Sequence, residues 1–149
     1  MLRQIMWGSI LVFATTVVHA GCTGAALRSI DFLHPQRWRT RPYLTATLLV
    51  SALVLMMFLA SLLEALLWAG AYLAAGAIEG LEQALYFSIV TYTTLGYGDV
   101  TLDQDWRLLA SFEAANGIIM FGWTTALIVA FLQRLLSSLK EAKGGEGGR

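Results

Sequence analysis

Three long apolar runs, a fourth apolar segment too short to cross a bilayer, and charge segregated between them predict an all-α membrane protein. It should have three transmembrane helices plus a re-entrant helix. The 149 residues are 57% hydrophobic and 13% charged, with a mean hydropathy of +0.64, far more apolar than a soluble domain of this size. The long runs cover roughly residues 4–26, 44–77 and 108–136, each sufficient for the roughly 20 apolar residues a spanning helix needs. Ten basic and ten acidic residues cancel, which excludes a globally basic nucleic-acid binder.

Residues 1–27 form the first element. Arg3 followed by an apolar run is also how a secretory signal begins, but no small-x-small cleavage site followed by a soluble domain is present, so a retained helix is expected. Cys22 is the single cysteine, so neither an intrachain disulfide nor a cysteine-based metal site can form. Ala20-Gly21-Cys22 is faintly similar to a lipoprotein cleavage site, yet His19 stands where such signals want an aliphatic residue.

Residues 28–42 carry four arginines (Arg28, Arg37, Arg39, Arg41) against Asp31. By the positive-inside rule this loop is cytoplasmic. Pro42 suits the first turn of the next helix, expected over 43–78. The following segment holds Glu79, Glu82, Asp99, Asp103 and Asp105 against Arg107 and should face outward, whereas Arg134, Lys140 and Lys143 follow the last helix, expected over 107–136. These flanks agree on an N-terminus outside and a C-terminus inside the cell membrane. The glycine-rich tail, 137–149, is expected to be flexible, and no soluble regulatory domain or internal repeat is encoded.

Residues 81–93 are apolar enough to enter the membrane but too short to cross it. Non-helical backbone at that depth is tolerated only where it is buried in protein or lines a water-filled path. A half-helix followed by Gly96-Tyr97-Gly98 is therefore expected to line a pore. Glu82 suits the positive end of this helix, and its negative end then points at a cation. A potassium site needs several oxygens in place of the ion's hydration shell, and rings of backbone carbonyls from four subunits supply them. For successive carbonyls to point one way, alternate residues need backbone angles that ordinary residues avoid, and Gly96 and Gly98 have that alternation. Thr94 adds a hydroxyl at the inner end. Tyr97 is expected to turn its ring away and brace against Tyr86, Phe87 or Tyr92.

Thr93-Thr94-Leu95-Gly96-Tyr97-Gly98-Asp99 resembles the Thr-Val-Gly-Tyr-Gly-Asp signature of the potassium-channel superfamily, in particular its small bacterial pore-only subunits, with one extra N-terminal helix. The resemblance covers about residues 53–134. It implies a homotetramer in membrane lipid, with permeant potassium bound by Thr94, Leu95, Gly96 and Tyr97, Gly98 completing the filter, and no organic cofactor. Tyr86, Phe87, Tyr92, Thr93 and Asp99 would support that filter. Leu95 replaces the usual valine. Val90 stands where some bacterial members carry a buried glutamate that contacts the post-filter aspartate, so Asp99 is expected to bond to Tyr86 or to backbone instead.

In the last span the resemblance puts a hinge at Gly117, with close helix packing as the other role for that glycine. Ile118, Phe121 and Thr125 follow at one-face spacing as cavity-lining residues. Glu64 and Glu113 fall inside spans, where a charge at the membrane centre costs roughly 3 kcal/mol or more, so each needs a partner or a proton. Asn116, Thr124, Trp68, Trp123 and the backbone near His19 are the candidate partners. A gating role for these carboxylates is weighed against a hydrogen-bonded clamp, and the clamp is favoured; His19 is likewise read as a structural polar residue. No span carries arginine at every third position, so no voltage sensor is encoded. An enzyme is not expected, since no nucleophile, base and orienting residue converge. The alternatives to a potassium channel are a less selective cation channel and a non-conducting membrane subunit.

Overall fold

A computed structural model describes residues 1–32 and 42–144, with side chains at 1–28 and 43–137. Four helices are formed: α1, Leu2–Phe32; α2, Pro42–Ala74; α3, Leu81–Tyr92; and α4, Arg107–Gly144. Within them Leu2–Arg28, Tyr43–Ala74 and Arg107–Ser137 are long and apolar enough to cross a membrane, whereas α3, at 12 residues, is not.

Several boundaries differ from the sequence expectation. α1 continues through Phe32, into the segment expected as a basic loop; the rest of that loop, residues 33–41, lies outside the described residues. α2 stops at Ala74 rather than 78 because Gly76 takes φ 64. The amide of Ala77 donates to the Tyr72 carbonyl and that of Gly76 to Leu73, the paired bonds by which a left-handed glycine closes a helix. α4 runs on to Gly144, so the first part of the expected flexible tail is helical, and residues 145–149 lie outside the described residues.

α2 packs most extensively on α3, and α4 packs on α1, α2 and α3. One apolar core surrounds α3, joining Trp68 and Tyr72 of α2 to Phe87 and Tyr92 of α3 and to Leu109 and Met120 of α4. A second core lies toward the far ends of the long helices, where Ala26 of α1 meets Leu53 and Met57 of α2 and Phe131 and Leu135 of α4.

α1 docks by a narrow seam. Gln4, Gly8, Thr15, His19 and Ala26 are all buried, at alternating intervals of four and seven, the period that keeps one stripe of a helix against its neighbours. Ile10, Phe13 and Val17 are exposed. This polar and small-residue seam follows from membrane physics. Apolar side chains gain nothing by leaving lipid, so helices associate through close backbone approach and interhelical hydrogen bonds. The Gln4 side chain accepts the amide of Leu108 at 3.1 Å, satisfying a donor that the first turn of α4 leaves open. Arg3 lies over the Trp106 ring at 4.5 Å, a cation–π contact.

A Cβ on Gly8 would come within 2.7 Å of Phe112 Cγ. Gly8→Val should push α1 off α4 and cost about 1–3 kcal/mol. The thermal midpoint in detergent, which should fall for this variant and hold for Ser9→Val on the exposed face, checks it.

Candidate functional site

The segment after α3 is built by the helix's own end. Thr93 is the C-cap, its hydroxyl bonded to the Ile89 carbonyl at 2.7 Å. The amide of Thr94 then donates to Thr91, and both Leu95 and Gly96 donate to the Val90 carbonyl, at 3.0 and 3.3 Å. Val90, noted in the sequence for the glutamate it replaces, thus acts through its backbone. The chain next alternates: Thr94, Gly96 and Gly98 have φ of 61, 55 and 78. Two of these are glycines, which take such angles freely. Thr94 is β-branched, for which a positive φ is a true outlier. Nothing in the residue type pointed to Thr94 as a left-handed position; only its place in the Gly96, Gly98 alternation could have.

Asp99 is tied back to α3. The Tyr86 hydroxyl donates to Asp99 Oδ2 at 2.6 Å, and the other carboxylate oxygen accepts the Val100 amide at 3.0 Å. The Tyr86 bond, with the backbone amides, holds the Asp99 carboxyl below the usual carboxylate range against partial desolvation, and the same bond raises the Tyr86 phenol. A cavity of about 360 Å³, lined by Tyr86, Val90, Gly96, Gly98 and Asp99 among others, lies between α3 and this loop.

Tyr97 is 67% exposed. The three aromatics expected to brace it are otherwise occupied. Tyr86 holds Asp99, and Phe87 meets Tyr72 edge-on at 5.2 Å. Tyr92 points into the protein, its hydroxyl donating to Glu64 Oε2 and its ring edge-on to Phe121 at 5.7 Å.

Residues 42–134, well over half of the chain, match the family model described as an ion channel. The chain belongs to the ion-channel family. No match was found among curated proteins or solved structures. The matched region holds α2, α3, the Thr94–Asp99 loop and the apolar part of α4, while α1 precedes it.

In this channel α4 is seated by a glycine. Gly117 is buried, and a Cβ there would lie 1.9 Å from the Tyr92 carbonyl oxygen, so the residue expected as a hinge is where the helix touches the end of α3. Ile118, Phe121 and Thr125 are exposed, and the Thr125 hydroxyl bonds back to the Phe121 carbonyl at 2.8 Å.

Both intramembrane carboxylates are fully buried and partnered; of the candidates the sequence suggested, the place near His19 is used, through the side chain and not the backbone. Glu64 binds Tyr92 and the side chain of His19, whose Nδ1 is 2.9 Å from Oε1. Glu113 Oε2 accepts the Tyr72 hydroxyl at 2.6 Å. Its Oε1 is 2.5 Å from Ser88 Oγ, which also lies 2.6 Å from the Ala65 carbonyl. A serine has one proton to give. A protonated Glu113 satisfies all three groups, donating to Ser88 while Ser88 donates to Ala65, and it places no charge in the membrane. Asn116 instead bonds Thr15 at 2.8 Å, Thr124 bonds His19, Trp123 meets the His19 ring, and the buried Trp68 indole nitrogen has no hydrogen-bond partner among the described residues. The partners Tyr72, Ser88 and Tyr92 were legible only as aromatic or small residues of an apolar helix.

Gly117→Ala should cost about 3 kcal/mol or more, because backbone on both sides prevents relief. Gly122→Ala, with open space around it, should be neutral or stabilising by up to about 1 kcal/mol. Thermal unfolding in detergent distinguishes them. For Asp99, a depressed folded-state pKa means that the Tyr86 bond supports the loop above the carboxylate range and is lost as pH falls through it. Tyr86→Phe should move the Asp99 titration up toward the ordinary carboxylate value, read by carboxyl carbon NMR.

Proposed function

We propose that this channel is potassium-selective and conducts passively as a homotetramer, with Thr94, Leu95, Gly96, Tyr97 and Gly98 as its filter. The observation that carries the reading is the left-handed alternation at Thr94, Gly96 and Gly98. The Leu95 and Gly96 amides are engaged behind the loop by Val90, and in trans peptides the Thr94 and Leu95 carbonyls then lie on the opposite side, which supports their use as ligands of a dehydrated cation. A threonine held at positive φ costs about 1–3 kcal/mol, strain of the kind retained at functional sites.

One chain supplies too few oxygens to enclose an ion, and Thr94 to Asp99 are all exposed in the single chain, which favours four copies around an axis. In that arrangement Ile118, Phe121 and Thr125 face the cavity and Gly117 seats the pore helix. The exposed apolar side chains of α1 and α2 meet lipid. Charge asymmetry puts the N-terminus outside and the arginine-rich loop and C-terminus in the cytoplasm.

Purified protein in liposomes with opposed potassium and sodium gradients should show a reversal potential that follows potassium. A potential indifferent to potassium would sink the proposal, and one that follows both ions equally would favour the less selective cation channel. Gly96→Ala places a methyl group on a residue with φ 55, disfavoured by about 1–2 kcal/mol. It should abolish selective flux while native mass spectrometry still finds the wild-type assembly.

A further inference from the structure

Three residues from three helices join in one buried chain that the ion path described so far does not use. His19 of α1 and Glu64 of α2 are fully buried. Nδ1 of the histidine lies 2.9 Å from Glu64 Oε1, and Glu64 Oε2 accepts the hydroxyl of Tyr92, the last residue of α3. The second histidine nitrogen, Nε2, is 3.2 Å from Thr124 Oγ1 of α4, and the ring meets Trp123 edge-on at 5.5 Å. Tyr92 also carries the carbonyl that abuts Gly117, and it precedes the left-handed Thr94 by two residues.

We propose that His19 is a positioning residue for the ion path, holding the end of the pore helix through Glu64 and the Tyr92 hydroxyl, with a strength set by its own protonation. This rests on the filter assignment above. It also gives α1, which lies outside the matched region 42–134, a task in conduction.

The hydrogen-bond inventory supports a proton-dependent hold. The Thr124 hydroxyl donates or accepts, so the imidazole finds partners whether it carries one proton or two. With two, His19 and Glu64 form a charge-assisted pair and the cluster is neutral. With one, the carboxylate beside Tyr92 is left without a compensating charge, and a buried unpaired charge is the costly state. The phenol bond to an uncompensated carboxylate is no weaker in itself, but the buried arrangement that supplies it is costlier, so the cluster that holds Tyr92 is most stable when His19 is protonated. The groups facing His19 are Glu64 from α2 and, beyond it, Tyr92 from α3; from α4 they are Thr124 and Trp123, neither of which titrates. Glu113 of α4 is a separate titratable group, held by Tyr72 and Ser88.

The test compares wild type, His19→Asn and Tyr92→Phe in liposomes holding a potassium gradient. The asparagine amide nitrogen takes the place of Nδ1, the atom that faces Glu64, and does not titrate. Wild-type potassium flux should fall about tenfold as the pH rises from about 5 to 8, the range in which histidine loses its proton. Both variants should change less than about twofold over that range. A purely structural role would lower flux equally at every pH, so a wild-type profile kept by both variants, or a flat wild-type profile, overturns the proposal. Absence of selective flux in the wild type would instead overturn the filter assignment, and a second measurement then decides this one. With the other histidine replaced, His34→Gln, ring nitrogen NMR follows His19 alone. Tyr92→Phe should shift its titration by at least about half a pH unit. An unmoved titration overturns the link; a moved one supports it independently of conduction.

Discussion

The end of a helix leaves carbonyls that have no partner within the helix, and the chain and α4 both close on that end of α3. The Val90 carbonyl takes the amides of Leu95 and Gly96, and the Tyr92 carbonyl is pressed against Gly117. These two contacts decide where the chain leaves α3 and how closely α4 approaches. The reversed backbone of Thr94, Gly96 and Gly98 is the continuation of that exit, and Asp99, strapped to Tyr86, closes it. The loop is shaped by where its amides are bonded as much as by the freedom of its glycines.

The same scarcity of hydrogen-bond partners explains the polar interior. α1 joins the bundle through Gln4, Thr15 and His19, each of which meets a group on α2 or α4, and through Gly8, which admits Phe112. In water such a seam would be a poor interface. In lipid it is a strong one, because leaving these groups unpartnered costs more than ordering them. The two carboxylates obey this rule in different ways: Glu113 by carrying a proton among hydroxyls, Glu64 by facing a histidine and a phenol.

Much of this was legible in the residues. Length and hydropathy located three spanning helices, and the short apolar segment before Gly96-Tyr97-Gly98 located α3 to within a residue. Asp99 was assigned to Tyr86 or to backbone, and it meets both. What was not legible depends on distance across the fold. Gly76 ends α2 early because two amides converge on its turn, which composition does not announce. Tyr92 belongs by type to an aromatic girdle around Tyr97, yet faces Glu64, because only the packing of α2 on α3 places that carboxylate beneath it. The seam on α1 was written in the spacing of Gln4, Gly8, Thr15 and His19. It passed unnoticed because hydropathy averages over the very positions that differ.

α4 is a single unbroken helix of 38 residues. At about 1.5 Å per residue it is about 57 Å long, nearly twice the roughly 30 Å hydrocarbon thickness. No reasonable tilt absorbs the difference, so part of α4 extends past the hydrocarbon. That part and the seat at Gly117 against the end of α3 belong to one continuous helix, with no linker between them.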